Sequence, residues 1–291
     1  MLFDFLTSLV DQYSFLNVFK YLTFRTGLSL MTSLIIVFLI GGPLIKFFSR
    51  MDITGPIRQD GPIDHIIKKT GTPTMGGIII IIGMLISTLL WADLNNIYIW
   101  TLIFISISLG ALGFADDLLK IKHKNSSGLN SKLKFFGQFV IGLITLLIII
   151  NFSNHEYINL IYFPFFKNLI LDLGIFFIPF GLFVIIGSSN AVNLTDGLDG
   201  LAAGCSSILF CGLGIEILLN NDPNLMIFSY LSFSMSGLCL GFLAFNKFPA
   251  KIFMGDTGSL CIGSIIGVIC VLTNSYLSTL IFSGVFLVEA L

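Results

Sequence analysis

The densest group of polar side chains in this chain lies at residues 188–204, between two strongly apolar runs. Two asparagines and two aspartates recur there at intervals of three residues, and each aspartate precedes a glycine: Asn190, Asn193, Asp196 and Asp199. An aspartate at the centre of a membrane helix costs about 2.5–3.5 kcal/mol, so such a cluster is tolerated at an interface, in a cavity or beside a cation. We therefore favour a ligand or metal role over a polar turn between two helices.

A pair of adjacent carboxylates, Asp116 and Asp117, follows another apolar run. On a helix, consecutive side chains diverge by about 100°, so one aspartate could face a metal or substrate while the other meets a lysine. Mg²⁺ keeps several waters and needs one or two carboxylates beside substrate phosphates. Lys132 and Lys134 close the following loop and could serve such phosphates.

Asp256 lies in the sequence Gly-Asp-Thr-Gly-Ser immediately before an apolar run. It could be the N-cap of a helix. Thr257 or Ser259 could cap that helix without bringing a charge to a membrane face, which favours a functional role for Asp256.

The segment that precedes the second apolar run contains adjacent lysines, Lys68 and Lys69, before a Thr/Gly-rich stretch. These lysines could bind phosphate together with the free N–H groups of a helix start. Contact with anionic lipid headgroups explains them equally well.

The elements that carry these clusters are predicted to be membrane helices in one all-α polytopic domain. Of the 291 residues, 55% are hydrophobic and 11% are charged, and a bilayer is crossed by about 20 apolar residues in a helix. About nine spans are predicted, the last one incomplete: 27–48, 76–92, 97–115, 135–151, 172–190, 201–219, 226–245, 257–275 and a run from 277.

The five cysteines form no C-x-x-C pair and are interpreted as small buried hydrophobic residues.

The basic residues fall mainly in alternate loops, near residues 46–69, 120–134 and 247–251. The opposite loops, 93–96, 152–171 and 220–225, contain one lysine, Lys167, and no arginine. The positive-inside rule therefore places the basic loops in the cytoplasm and the N-terminus outside. All the polar clusters then meet on the cytoplasmic face.

Together these clusters suit a divalent cation that bridges phosphates while lysines neutralise the remaining charge. The sequence has no Walker-type loop, no G-x-S-x-G motif and no Cys/His metal spacing, and its three histidines are scattered. The residues by themselves thus indicate a membrane enzyme that acts on a phosphate-bearing substrate with Mg²⁺.

Five segments, taken in order from Arg58 to Ser259, resemble the phospho-N-acetylmuramoyl-pentapeptide-transferases of bacterial peptidoglycan synthesis. These enzymes belong to the polyprenyl-phosphate sugar-1-phosphate transferase superfamily. The resemblance is carried by Asp60-Gly61-Pro62 with His65, the stretch from Lys69 to Gly77, Asp116-Asp117, the stretch from Asn190 to Leu201, and the stretch from Asn246 to Ser259.

The resemblance implies a ten-helix protein of the bacterial inner membrane with both termini outside and its active site in the cytoplasm. It implies transfer of phospho-N-acetylmuramoyl-pentapeptide from UDP to undecaprenyl phosphate, with Mg²⁺, to give lipid I and UMP. Asp256 would then ligate the metal, Asp116 would act on the lipid phosphate as base or nucleophile, and Asp117 would help position that phosphate. The substrate-binding residues implied are Lys69 and Lys134 near the phosphates, and Asn190, Asn193, Asp196, Asp199 and Asn246 around the nucleotide.

The family also carries a later cytoplasmic loop with a Met-Ala-Pro and triple-histidine motif, which does not occur before Leu291. We therefore expect that this chain lacks a C-terminal part of the domain and has little transferase activity.

Two alternative functions remain open, a related N-acetylhexosamine-1-phosphate transferase and, from another class, a cation-coupled transporter. A transporter should carry its carboxylates near the bilayer midplane, whereas here they gather at loop ends. A homodimer is also left open.

Overall fold

The structure, a computed structural model, describes residues 2–55, 71–123, 128–152, 158–162, 170–220, 222 and 225–291. Within these ranges the chain is mostly α-helical, with a short antiparallel strand pair, β1 (Leu160–Tyr162) and β2 (Ile170–Asp172). The helices are α1 (Leu2–Ser8), α2 (Leu22–Arg50), α3 (Gly77–Trp91), α4 (Ile97–His123), α5 (Ser131–Phe152), α6 (Phe177–Thr195), α7 (Leu201–Asn220), α8 (Ile227–Asn246), α9 (Gly255–Thr273), α10 (Tyr276–Phe282) and α11 (Gly284–Ala290).

Seven helices in the described ranges are long and apolar enough to cross a membrane, namely α2 and α4 to α9. Helix α3 is equally apolar but has only 15 residues. The predicted all-α polytopic fold is confirmed, while the predicted number of spans stays a prediction. The five cysteines are free; Cys239, Cys261 and Cys270 are buried, as predicted, whereas Cys205 and Cys211 are half-buried.

Helices α2, α4 and α5 extend beyond the apolar runs that predicted them. Helix α4 continues to His123, two turns past the predicted end at residue 115, and so carries Asp116 and Asp117 on helical backbone. Apolar run length reflects the hydrocarbon thickness, whereas a helix continues while its backbone hydrogen bonds can form. The final apolar run is divided into two seven-residue helices at Ser283-Gly284, a pair of poor helix formers.

Helix α9 is the most deeply buried membrane helix of the described bundle, with every residue from Thr257 to Thr273 buried. Its glycines let neighbouring backbones approach closely, as small residues do in membrane helix interfaces. A Cβ on Gly263 would lie 2.5 Å from the Ser188 carbonyl oxygen of α6, and one on Gly267 would lie 2.7 Å from Ile185 Cα. This packing fixes the start of α9, where Asp256 lies.

Eight helices of the described ranges meet at one end of the bundle, which we call the site end. Helices α2, α4, α6 and α8 end there, and α3, α5, α7 and α9 begin there. The segment before α3 is bonded to the segment before α9, because Phe253 N–H donates to the Pro73 carbonyl and Gly77 N–H donates to the Met254 carbonyl. The site end therefore brings together segments that are far apart in sequence.

Candidate active site

Three carboxylates converge at the site end, two from α4 and one from the first turn of α9. Asp116, Asp117 and Asp256 each offer one oxygen, and these oxygens lie within 4.8 Å of one another. Asp116 and Asp117 are 2% and 4% exposed. The close approach of the helices depends on Gly113, since a Cβ there would overlap the Asp256 carbonyl oxygen.

Two ammonium groups lie among these carboxylates. Lys120 Nζ is 2.6 Å from Asp116 Oδ2 and 3.1 Å from Asp256 Oδ1. Lys134, at the start of α5, pairs with Asp256 Oδ2 and lies 3.9 Å from Asp116 Oδ2. Three carboxylates and two ammonium groups thus lie together in a small, mostly buried volume. The carboxylates suit the binding of a cation, and the ammonium groups suit the binding of phosphate.

Asp117 caps the start of α9 from another helix. Its Oδ1 accepts the Asp256 N–H at 3.1 Å, and its Oδ2 accepts the N–H and the hydroxyl of Thr257 at 3.0 and 2.8 Å. Free N–H groups at a helix start favour negative charge. Asp256 is therefore not the N-cap of α9; it is the second helical residue, and its carboxylate points to the lysines.

Gly255 makes this arrangement possible. Its φ of +73° lies in the region that favours glycine. A Cβ at this position would also lie 2.5 Å from Asp117 Oδ2. Gly255 is therefore needed both for the backbone turn before Asp256 and for the close contact with the Asp117 carboxylate.

The donor set of this cluster fits Mg²⁺, which binds oxygen ligands and commonly uses one or two carboxylates. Asp117 commits both oxygens to the start of α9, so Asp116 and Asp256 are the residues that would hold the ion. Asp116 Oδ1 accepts the Leu129 N–H at 2.8 Å, and its Oδ2 faces the ammonium groups.

The motif at 196–200 binds the backbone of the loop that leads into α9. Asp196 Oδ2 accepts the Gly255 N–H, and Asp199 Oδ2 accepts the Ala250 N–H, each at 3.1 Å. Asn246 is 2% exposed; its Oδ1 accepts the Gly200 N–H at 3.0 Å and its Nδ2 donates to the Ile252 carbonyl at 2.9 Å. These three side chains hold two loops of the site end together.

Asn190 and Asn193 of α6 bind neighbouring helices. Asn190 exchanges hydrogen bonds with Gln138 of α5, at 3.1 and 3.3 Å. Asn193 Nδ2 donates to Ser259 Oγ at 2.8 Å, one turn after Asp256 on α9. Gln138 lies one turn after Lys134, so the same face of α5 contacts both the carboxylate cluster and α6.

The structure thus groups the sequence-predicted residues into two layers. Asp116, Asp117, Asp256 and Lys134 form the charged cluster, and Asn190, Asn193, Asp196, Asp199 and Asn246 form the supporting layer behind it. Lys69, together with Lys68 and His65, lies outside the described residues. Sequence reasoning missed the roles of Lys120 and Gln138; the i, i+4 spacings Asp116–Lys120 and Lys134–Gln138 were the available signals.

Replacing Gly113 with Ala is expected to lower the thermal unfolding midpoint and to weaken binding of a divalent cation. The added methyl group would separate α4 from α9 at the Asp256 carbonyl, and overpacking of this kind costs about 1–3 kcal/mol. Midpoints measured in detergent with and without Mg²⁺ would test this. Gly187→Ala is the matched control, because a Cβ there meets no atom within 4 Å; equal midpoints for both variants would contradict the packing.

Comparisons with known proteins show which family this chain is similar to. A sequence model of glycosyl transferase family 4 matches residues 99–274. The chain is 51% identical to the phospho-N-acetylmuramoyl-pentapeptide-transferase of Pelagibacter ubique, in an alignment that covers 100% of this chain and 84% of that protein. It is 43% identical to the enzyme of the same name from Thermodesulfovibrio yellowstonii, with 100% and 84% covered, and 44% identical to that of Rickettsia prowazekii, with 99% and 83% covered.

Proposed function

Because the chain belongs to the phospho-N-acetylmuramoyl-pentapeptide-transferases of glycosyl transferase family 4, we propose that it makes lipid I. It transfers phospho-N-acetylmuramoyl-pentapeptide from its UDP carrier to undecaprenyl phosphate and releases UMP. The observation that carries this function is the cluster of three carboxylates and two lysines at the site end. Such a cluster suits a reaction in which two phosphate groups must approach each other despite their charge.

The reaction joins a phosphate oxygen of the lipid to the β-phosphorus of the donor. The bond between this phosphorus and the oxygen that bridges to the α-phosphorus breaks, and UMP leaves with that oxygen. In a one-step reaction Asp116 acts as a base on the lipid phosphate, which attacks the β-phosphorus directly. In a two-step reaction Asp116 would itself attack the β-phosphorus and release UMP, and the lipid phosphate would then displace Asp116 from that phosphorus. Mg²⁺, when bound by Asp256 and Asp116, supplies positive charge that stabilises the transferring phosphate.

The two described lysines neutralise the phosphates during transfer. Lys134 and Lys120 enter the cluster from different helices, α5 and α4, so they can contact a phosphate from two sides. An ammonium group suits this task because it is a compact charge with three donors on a flexible stem. Lys69 is proposed to contribute a further ammonium group.

The supporting layer is proposed to shape the nucleotide pocket. Asp196, Asp199 and Asn246 bind backbone groups of the loop before α9, so they fix the wall that the UDP donor would contact. Asn190 and Asn193 hold α6 against α5 and α9. Their hydrogen bonds support a role in positioning the pocket.

The protein is proposed to lie in the bacterial inner membrane with its site end in the cytoplasm. The apolar helices support a multi-pass membrane protein. The site end carries Lys46, Arg50, Lys120, Lys122, Lys134, Lys247 and Lys251, and cytoplasmic segments are enriched in Lys and Arg. This orientation would also give the site direct access to a soluble UDP donor.

Sustained UMP release, beyond one equivalent per chain, is expected only when Mg²⁺, undecaprenyl phosphate and UDP-N-acetylmuramoyl-pentapeptide are all present. The purified chain in lipid nanodiscs would be incubated with each component omitted in turn, and UMP would be measured by chromatography over long incubations. Replacing the donor with UDP-N-acetylglucosamine provides the comparison.

Faster UMP release with UDP-N-acetylglucosamine would support the related N-acetylhexosamine-1-phosphate transferase. Release that continues without polyprenyl phosphate would indicate hydrolysis and contradict the transfer. Slow UMP release would agree with the low activity expected from the sequence, whereas release no faster than in a blank without protein, even over long incubations, would contradict the enzymatic function.

A further inference from the structure

Lys120 contacts all three carboxylates of the cluster. Its Nζ is 2.6 Å from Asp116 Oδ2, 3.1 Å from Asp256 Oδ1 and 3.9 Å from Asp117 Oδ1. Its side chain is 24% exposed, against 3% and 5% for those of Asp116 and Asp117, so Lys120 is more accessible to solvent than these two partners. No other lysine in the described part of the chain reaches all three.

The position of this ammonium group conflicts with a divalent cation held by the same two aspartates. Mg²⁺ binds carboxylate oxygens at about 2.0–2.1 Å. The oxygens it would use on Asp116 and Asp256 are the ones between which Lys120 Nζ now lies. Lys134 pairs with the other oxygen of Asp256 and is 3.9 Å from Asp116 Oδ2, farther than the 2.6 Å of Lys120, so its ammonium group conflicts less with the ion.

The charge balance also favours displacement of Lys120 by the cation. Three carboxylates and two ammonium groups sum to one negative charge, and a divalent cation added to this set brings the sum to one positive charge. Repulsion between Lys120 and the ion would then favour movement of the flexible ammonium group toward solvent, where substrate phosphates arrive.

We propose that Lys120 is an exchangeable counter-ion, which Mg²⁺ displaces from Asp116 and Asp256 and which then pairs with a substrate phosphate. This inference rests on the proposed function for the identity of the cation and the phosphate. It makes metal binding and phosphate binding one coupled event, because the metal both occupies the carboxylates and releases the ammonium group.

The first test measures Mn²⁺ binding to the full chain without substrate, by the electron paramagnetic resonance signal of free Mn²⁺, in nanodiscs of zwitterionic lipid. Lys120→Gln is expected to lower the Mn²⁺ Kd by about tenfold, which corresponds to about 1.4 kcal/mol, because the competing charge is gone. Lys120→Arg keeps the charge and is expected to show no tightening. Lys122→Gln is the matched control, since Lys122 is exposed and forms no ion pair with the three aspartates.

The second test uses the wild-type chain, so it does not depend on the folding of a variant. Lysine acetylation by a water-soluble ester would be quantified by mass spectrometry with and without Mg²⁺. Acetylation of Lys120 is expected to increase several-fold when Mg²⁺ is added, while that of Lys122 stays unchanged.

The outcomes separate this inference from the metal site itself. An equal or higher Mn²⁺ Kd in Lys120→Gln, or unchanged acetylation of Lys120, would overturn the counter-ion exchange alone. A wild-type chain that binds no Mn²⁺ would overturn the metal site and the exchange together.

Discussion

Replacing Asp256 with Asn is expected to remove divalent-cation binding and Mg²⁺-dependent UMP release while the helices stay intact. Asn has the same shape but no charge, and it is a weaker ligand for Mg²⁺ than a carboxylate. Loss of at least about 100-fold in Mn²⁺ affinity is expected, about 2.7 kcal/mol. The remaining Asp116 and Asp117 would still balance the two lysines, so the fold should tolerate the change.

Mn²⁺ titration and far-ultraviolet circular dichroism would measure these two effects separately. Asp93→Asn is the matched control, because Asp93 lies in the connection between α3 and α4, where its Oδ1 accepts the Asn95 N–H at 3.0 Å. It should leave the Mn²⁺ affinity unchanged. If Asp256→Asn bound Mn²⁺ as tightly as the wild-type chain, the metal would have to be assigned to Asp116 and Asp117 alone.

The grouping of Asp116 and Asp256 could be predicted because membrane helices restrict the possible arrangements. Alternate loops lie on the same side of a bilayer, and the basic residues indicate which side. Two carboxylates at the ends of apolar runs on that side must then lie near one plane. The sequence could not show that they lie within one cluster, since this depends on the close packing of α4 and α9 at Gly113.

The function of a side chain is harder to predict from the sequence when its hydrogen-bond partners are backbone groups. Asn246 was predicted to bind substrate, and the structure shows its amide bonded to Gly200 N–H and the Ile252 carbonyl. Asn occurs at ligand sites and at loop supports for the same reason, since it carries both a donor and an acceptor. Only the folded arrangement of two loops reveals which groups it meets.

The role of Lys120 lay within reach of sequence reasoning. The sequence predicts that one aspartate of the pair faces a metal or substrate while the other meets a lysine. The contact with a lysine occurs, because Lys120 is four residues after Asp116 on a continuous helix. The division of roles differs, because Asp116 is also the residue that would hold the metal, whereas Asp117 binds the start of α9. Lys120 was not singled out because the predicted span ended at residue 115, which left the following residues in a loop. Helix α4 continues through them.

The position of Asp117 leads to the second large effect. Replacing Asp117 with Asn is expected to lower the unfolding midpoint and to weaken Mn²⁺ binding, because the start of α9 would lose its cap. The carboxylate accepts three hydrogen bonds there. An Asn side chain has an NH₂ group in place of one carboxylate oxygen, and this group cannot accept the hydrogen bonds made to that oxygen. Hydrogen bonds to a charged acceptor are worth about 1.5–3 kcal/mol each.

Thr257→Val is the graded comparison, because it removes the Thr257 hydroxyl bond to Asp117 and leaves both backbone bonds. It should cost about 1.5–3 kcal/mol, the value of one hydrogen bond to a charged acceptor, and leave Mn²⁺ binding nearly unchanged. Thermal unfolding in detergent and Mn²⁺ titration of both variants distinguish two roles for Asp117. A midpoint equal to that of the wild-type chain, together with lost UMP release, would mean that Asp117 acts directly on the substrate. A lowered midpoint whose size follows the number of hydrogen bonds removed would mean that Asp117 acts through Asp256, by fixing the first turn of α9.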